Sequence, residues 1–329
     1  MKSGPSALPG LRALVLLLLL ASSAFGQLTV DYDEDEVDSG TYDTSAPNDP
    51  LTLSVAAGMA TQSGQLTGDG AVVKEGAGTL VLSGDNSFEG GTTVNGGTLV
   101  VTHNNALGDS FFATAATVNG PDTVLHIPSG VTLDRGVNVS SQGTVENNGV
   151  IAAFLGISSS SIGARIINTG TIQTSGWDAI YVQEGIGTVT NTGGTIRADA
   201  FAVALRDGGT LRNEAAGEIE GFNAIYGGQL PDNSISDNTV VVENAGASRI
   251  SGLSYAIDLY SGGTVTNDEG SRIEITGDDD DGAGASVAIG GGLGIVSNLG
   301  ASTIAGWQRG VWLLDGGTVI NDEGSTIET

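Results

Sequence analysis

The chain has no cysteine, two histidines, seven prolines and three tryptophans in 329 residues. Without cysteine no disulfide can staple the fold, so hydrogen bonding and packing must carry its stability. Lysine is almost missing, with Lys2 and Lys74 the only two. Positive charge is scarce altogether: 11 Lys and Arg stand against 38 Asp and Glu, for a formal net charge of −27. A surface of this sign repels nucleic acid and anionic lipid. Large core side chains are also few, with seven Phe and six Tyr. A compact globule of this length would want more of them, whereas a solenoid needs fewer because thin aliphatic layers pack coil upon coil.

What the chain has instead is glycine, 53 residues of it, about double the ~7% average. It also has an N-terminal targeting pattern. Lys2 and Arg12 precede the apolar run Ala13 to Leu20, and Ala24-Phe25-Gly26 offers small residues for cleavage before Gln27. That run is too short for a membrane span, and no other stretch approaches ~18 apolar residues. Residues 1–26 are therefore expected to be a signal peptide. Without Lys2 and Arg12, 9 basic residues face 38 acidic ones, near −29. Residues 27–50 crowd six acids between Asp31 and Asp38 and then carry Pro47 and Pro50. Like charges this dense resist folding, and the segment is expected to be an acidic extended leader.

From residue 51 the pattern changes to short alternating runs, such as Thr79-Leu80-Val81-Leu82, separated by Gly-Asp-Asn, Gly-Gly and Asn-Gly-Gly turns. The spacing predicts strands of about five residues with tight corners. This stretch resembles the autotransporter-associated β-strand repeat, also called the passenger-associated transport repeat. The residues that carry the resemblance are Lys74, Gly76, Gly78-Thr79-Leu80, Leu82, Gly84, Asn86, Phe88, Gly90, Thr92, Val94, Gly97 and Leu99, followed by Ala106-Leu107-Gly108. The resemblance implies a secreted or surface-displayed bacterial protein with a β-helical passenger, in which this repeat assists secretion and performs no catalysis. It also implies a C-terminal outer-membrane β-barrel in the full-length protein.

A second repeat fills residues 140–329. Its anchor reads Thr-Val-x-Asn, then Gly, then Ile, with asparagines at 147, 168, 191, 213, 244, 267, 298 and 321. A small-aliphatic pair recurs half a coil later: Ala179-Ile180, Ala202-Val203, Ala224-Ile225, Ala256-Ile257, Ala288-Ile289 and Gly310-Val311. A period near 22 with two or three strands is a solenoid signature. The fold class is accordingly all-β, a right-handed parallel β-helix with coils of about 22 residues, the 51–139 repeat region leading into the 140–329 coils. Stacked coils would put each anchor Asn about 4.8 Å from the next, in an amide ladder with the following Gly making the turn. Val189, Val240, Val265, Val296 and Val319 are expected to form one aliphatic ladder. Two long spacings mark insertions at about Gly227–Asp237 and Gly277–Gly284, where binding residues would most readily be displayed. The chain stops in mid-coil after "TVINDEGSTIET", as a fragment of a longer gene product would.

Chemistry is thin. Ser110 in "LGDSFF" resembles a hydrolase nucleophile, but a triad needs a base, and His103 and His126 both flank turns. Asp278 to Asp281 would project in alternating directions and make at most a weak cation site. The remaining carboxylates sit mainly at turns: Asp207, Glu214, Asp268, Glu269, Asp315, Asp322 and Glu323. Trp177, Phe201, Phe222, Tyr255 and Trp307 recur about once per coil, suited to packing or to stacking on sugars. The reading is a non-enzymatic adhesin or display stalk, with no catalytic residue, no cofactor and no metal. Its partner would be a host surface, a glycan or another copy of itself. The alternative is a β-helical polysaccharide-active enzyme, a lyase or glycoside hydrolase.

Overall fold

The computed structural model describes residues 27–109, 114–230, 232–277 and 284–329. The signal segment, Ser110 and the four-Asp run lie outside the described residues. No helix occurs among the described residues, and every named strand pairing is parallel. The chain is a β-solenoid whose equivalent residues recur about every 22 or 23 positions in the ladder of asparagines.

Each later coil has three strands. An anchor strand such as Arg165–Asn168 ends on the asparagine, a second strand such as Thr171–Thr174 follows the corner, and a third such as Ile180–Val182 completes the turn. The anchor strands stack as one 13-stranded sheet, and the second and third strands join in a 20-stranded sheet. Period-two alternation turns one residue in two inward. Three aliphatic columns result. Val145, Ile166, Val189, Leu211, Val242, Val265 and Val296 line the first, Ile151, Ile172, Ile196, Ile219, Ile250, Ile273 and Ile304 the second, and Ile157, Ile180, Val203, Ile225, Ile257 and Val287 the third, all buried. Thin layers of Val and Ile fill this narrow interior, which accounts for the scarcity of large aromatics in the core.

Two register expectations need correction. Val240 does not share the ladder of Val189, Val265, Val296 and Val319. It pairs with Gly209 and Gly263, and Val242 stands in the predicted place. Likewise Ile257 stacks on Val287, while Ile289 stacks on Leu259. Ser286-Val287 is thus the true counterpart of the Ala-Ile pairs, because the preceding insertion ends two residues earlier than the Ala288-Ile289 dipeptide suggests.

The acidic segment 27–50 is not a free leader. Thr29–Tyr32 pairs with Leu51–Val55, Val37–Asp38 with the strand Met59–Gln62, and Tyr42–Asp43 with Leu66–Thr67. Its charges point outward or cap turns: Asp38 accepts from the Gly40 N–H and the Tyr42 hydroxyl. Meanwhile Tyr32 is buried against the core and donates to Gln62 at 2.8 Å. Alternation won over charge density, since in a strand every second side chain can stay in water.

The asparagine ladder is present. Nδ2 of Asn147, Asn168, Asn191, Asn213, Asn244, Asn267 and Asn298 each donates to Oδ1 of the next asparagine at 2.7–2.9 Å. The turn after it is less glycine-dependent than its sequence suggests. In the later coils the left-handed positions fall two and three residues past the Asn, on Ala215-Ala216, Gly246-Ala247, Glu269-Gly270 and Gly300-Ala301. A second ladder closes the same corners: Ser248, Ser271, Ser302 and Ser325 each accept the backbone N–H of the equivalent residue one coil earlier, at 3.1–3.2 Å. With two side-chain ladders fixing the corner, alanine and glutamate tolerate a strained backbone there.

Candidate functional site

Residues 177–260 hold seven of the sixteen aromatic residues, and they gather along the third strands. The outward position after each inward anchor runs Tyr181, Ala204, Tyr226, Asp258 on successive coils. Phe201 lies 4.6 Å from Tyr226 between ring centroids, and Tyr226 lies 5.4 Å from Tyr260. The Arg206 guanidinium sits 4.6 Å above the Tyr226 ring and 5.7 and 5.8 Å from Tyr181 and Phe201. Trp177 and Phe222 stand exposed at the corner before these strands.

Polar groups with unspent capacity lie among the rings. Arg206 Nε and Asn223 Oδ1 are buried and have no hydrogen-bond partner among the described residues. Asn223 is in register between Phe201 and Tyr255. Burial pushes the Asp258 carboxyl up to about 6, against the hydrogen bond it receives from Tyr260. Burial also raises Asp178, which accepts from the Phe201 N–H at 3.2 Å. The described residues of the insertion after Gly227, 228–230 and 232–239, flank one side. Its foot is tied to Asp207, which accepts from the Ser236 hydroxyl at 2.7 Å and the Gly185 N–H at 2.9 Å. Gln229 reaches back over the site, accepting from Tyr226 through its side chain and from Arg206 through its carbonyl. A shallow depression of ≈ 480 Å³ follows this side, lined by Gln183, Asp207, Leu230 and Asp232 among others.

Among the described residues, those weighed for catalysis do not converge. His103 faces Asp85 at 3.8 Å, and His126 faces Glu146 at 3.2 Å on a different strand. The turn carboxylates are engaged in capping neighbouring coils: Asp315 accepts from Gly291 and Asp322 from Gly300. Glu214 meets Thr192 and Arg212, while Asp268 caps Glu269 in its own turn. Glu274 is paired with Arg249 and Arg272; burial opposes its charge, but those two hydrogen bonds hold it below the usual carboxylate range. No group of three or more His, Asp or Glu fit to hold a metal ion occurs among the described residues. Of the five recurring aromatics, Trp177, Phe201, Phe222 and Tyr255 fall on the aromatic face, whereas Trp307 lies in a later coil. Tyr181, Tyr226, Tyr260, Arg206 and Asp258 were missed. Counting one residue past each Ala-Ile anchor would have found Tyr181, Tyr226 and Asp258.

The segment from residue 72 to 101 forms the most individual part of the stack. Leu80, Leu82, Phe88, Val94 and Leu99 are fully buried, and so is Lys74. Lys74 Nζ donates to the carbonyls of Gly76 and Gly78 at 2.6 Å and of Gly96 in the next coil at 2.7 Å. A buried ammonium is tolerable only with such a set of acceptors; burial, opposed by the nearby Glu75 carboxylate, draws its pKa down to about 8. Asn86 spans three coils, accepting from Leu66 N–H at 2.8 Å and donating to Ala106 O at 2.7 Å. At Gly97, φ is +60° and an added Cβ would lie 2.3 Å from Gly78 O, so the close approach of neighbouring coils needs glycine there.

The family model for the passenger-associated-transport-repeat matches residues 72–101. No curated protein and no solved structure matches the chain. The matched span coincides with the Lys74 and Asn86 staples and with the buried Leu80, Phe88 and Leu99. Residues 72–101 are therefore a passenger-associated transport repeat of the kind found in autotransporter passengers, built into a continuous parallel β-solenoid.

Proposed function

We propose that this chain is a non-enzymatic passenger segment of a secreted or surface-displayed bacterial protein, acting as an adhesin or display stalk. The observation that carries this reading is the continuity of the stack. The transport repeat shares one set of strands with the coils on either side of it, so a repeat associated with passenger secretion is integral to the rod. The N-terminal pattern ending at Gly26 directs export across the inner membrane, and an outer-membrane β-barrel elsewhere in the full-length protein completes the route. The disposition of carboxylates supports a non-catalytic role. The two buried acids of the aromatic face, Asp178 and Asp258, are three coils apart, about 14 Å at ~4.8 Å per coil, wider than the ~5–9.5 Å that glycoside hydrolysis requires.

The test is to express the full-length gene product in a Gram-negative host and label intact cells with antibody to the solenoid. Surface labelling with a mature N-terminus at Gln27 is expected. Retention of the chain inside the cell would refute the reading.

A further inference from the structure

The geometry points to the aromatic face around Arg206 as a binding site for a neutral oligosaccharide laid along the solenoid axis. This inference rests on the adhesin reading and gives it a ligand class. The face combines two things that a sugar ring needs: flat apolar surface for its C–H side and hydrogen-bonding groups for its hydroxyls. Trp177 and Phe222 supply exposed ring surface at the corner, and Tyr181 and Tyr260 supply half-exposed rings on the strands. Gln183 and Asp207, on the depression that flanks the rings, supply accessible polar groups; the unpaired Arg206 Nε and Asn223 Oδ1 lie beneath the surface and make no contact with a ligand on the face.

The direction and the charge of the ligand follow from the same face. Each of four successive coils contributes an exposed or half-exposed ring, Tyr181, Phe201, Phe222 and Tyr260, so aromatic surface recurs along the axis at differing strand positions. A chain of rings matches that repetition; a single small molecule would use one step of it. The described residues of the insertion after Gly227 flank the face on one side, and Gln229 is already bonded to Tyr226 and Arg206. Asp178 neighbours Arg206, Glu184, Asp207 and Asp232 line the flanking depression, and the whole chain carries −27. A polyanionic glycan would be repelled on approach, which selects neutral sugars over uronic acids.

The experiment uses the purified chain and four soluble hexasaccharides: cellohexaose, chitohexaose, xylohexaose and hexagalacturonate. Trp177 is one of three tryptophans, so its emission reports on the site, and titration calorimetry gives affinity. Saturable binding of at least one neutral hexasaccharide is expected, with hexagalacturonate weaker than all three. Trp177→Ala and Tyr181→Ala should each weaken binding about fivefold to tenfold, the worth of one aromatic contact. Trp307→Ala, an exposed aromatic in a distant coil, should leave it unchanged. Both site residues are exposed or half-exposed, so an unaltered thermal transition certifies the fold of each variant. Three results would overturn the inference: no saturable binding to any neutral probe, equal loss in Trp307→Ala, or sedimentation showing a dimer that Trp177→Ala dissociates, which assigns the face to a second copy. Any of these with surface labelling intact overturns the glycan site alone; lost labelling with intact sugar binding overturns the display reading alone.

Discussion

The transport-repeat coils and the asparagine-ladder coils solve one problem in two ways. Both present the same column at the end of the anchor strand. It runs Gln62, Leu82, Val101 and Ile127 in the earlier coils and Asn147 to Asn321 in the later ones. In the later coils that position is polar and the corner is held by one short amide per coil, bonded to its neighbour and to corner carbonyls such as Gly217 O. In the earlier coils it is largely aliphatic, and the corners are held from elsewhere by single side chains, the long Lys74 and the amide Asn86. The first arrangement is redundant and periodic; the second concentrates several bonds in one residue. Backbone pitch is the same in both, so corner chemistry is free to vary where strand stacking is not.

This contrast can be broken or sharpened by mutation. The aliphatic columns are common to both regions, so Leu80→Asp and Ile257→Asp should be equally destructive. Each buries a carboxylate without a partner, at a cost of about 4 kcal/mol or more, read by urea unfolding and by new protease cleavage in the flanking coils. Markedly unequal losses would mean the two regions do not share a core. Next, Lys74→Met removes an ammonium that three carbonyls accept from, and about 3 kcal/mol should be lost. A loss under about 0.5 kcal/mol, within the range of an ordinary surface change, would sink the staple reading.

Titration should separate the regions too. Asp258 is held at about 6 in the folded protein against 3.8 in the unfolded chain. A raised acid binds its proton more tightly when folded, so the contribution of Asp258 is full below about pH 4, is lost as the pH rises through 6, and is level above that. The swing amounts to at most about 3 kcal/mol, and Asp258→Asn should flatten it. Lys74, drawn down to about 8 from 10.5, has the opposite sense on the alkaline side. The folded state holds fewer protons between those values, so stability gains as pH rises through them, and Lys74→Met should abolish that slope.

Smaller effects test redundancy. Asn213→Ala in mid-ladder strands the amide of Asn191 and the Oδ1 of Asn244, and should cost about 2 kcal/mol. Asn321→Ala, at an exposed ladder position, should cost less than about 0.5 kcal/mol. Equal losses would mean that the ladder contributes nothing as a ladder. Smallest of all, deleting Gln229–Ile235 joins Gly228 to Ser236, already bonded at 2.9 Å, and should change stability by less than about 1 kcal/mol in a calorimetric scan.

Much of this was legible in the sequence, and the failures have physical causes. The anchor asparagines and the inward Val, Ile or Leu two residues before each of them follow from period-two alternation; Val242 obeys that rule, and Val240, in a run of three valines, does not. Ala288-Ile289 misled because an insertion of irregular length displaced the register. The acidic segment failed because charge counts ignore which side of a strand each residue occupies. Lys74 was read as part of a motif, but nothing local announces its role, since its acceptors include Gly96, 22 residues on. The aromatic face is a cross-coil property for the same reason: Tyr181, Phe201, Tyr226 and Tyr260 become neighbours only when four coils are stacked.

The ladder has a beginning. Asn147 Oδ1 is buried without a partner, because the coil before it presents Ile127 at that position. Every link then donates in one direction, from each coil to its successor. The ladder is therefore a grammar with a first word: a coil copied anywhere between Asn168 and Asn298 meets, on both sides, the donor and acceptor it carries itself. Gene duplication could lengthen the rod there without revising a neighbour. A copy placed ahead of Asn147 would donate to its unpaired Oδ1 and inherit the one orphan acceptor against the isoleucine, so the number of unpaired amides stays at one however long the ladder grows.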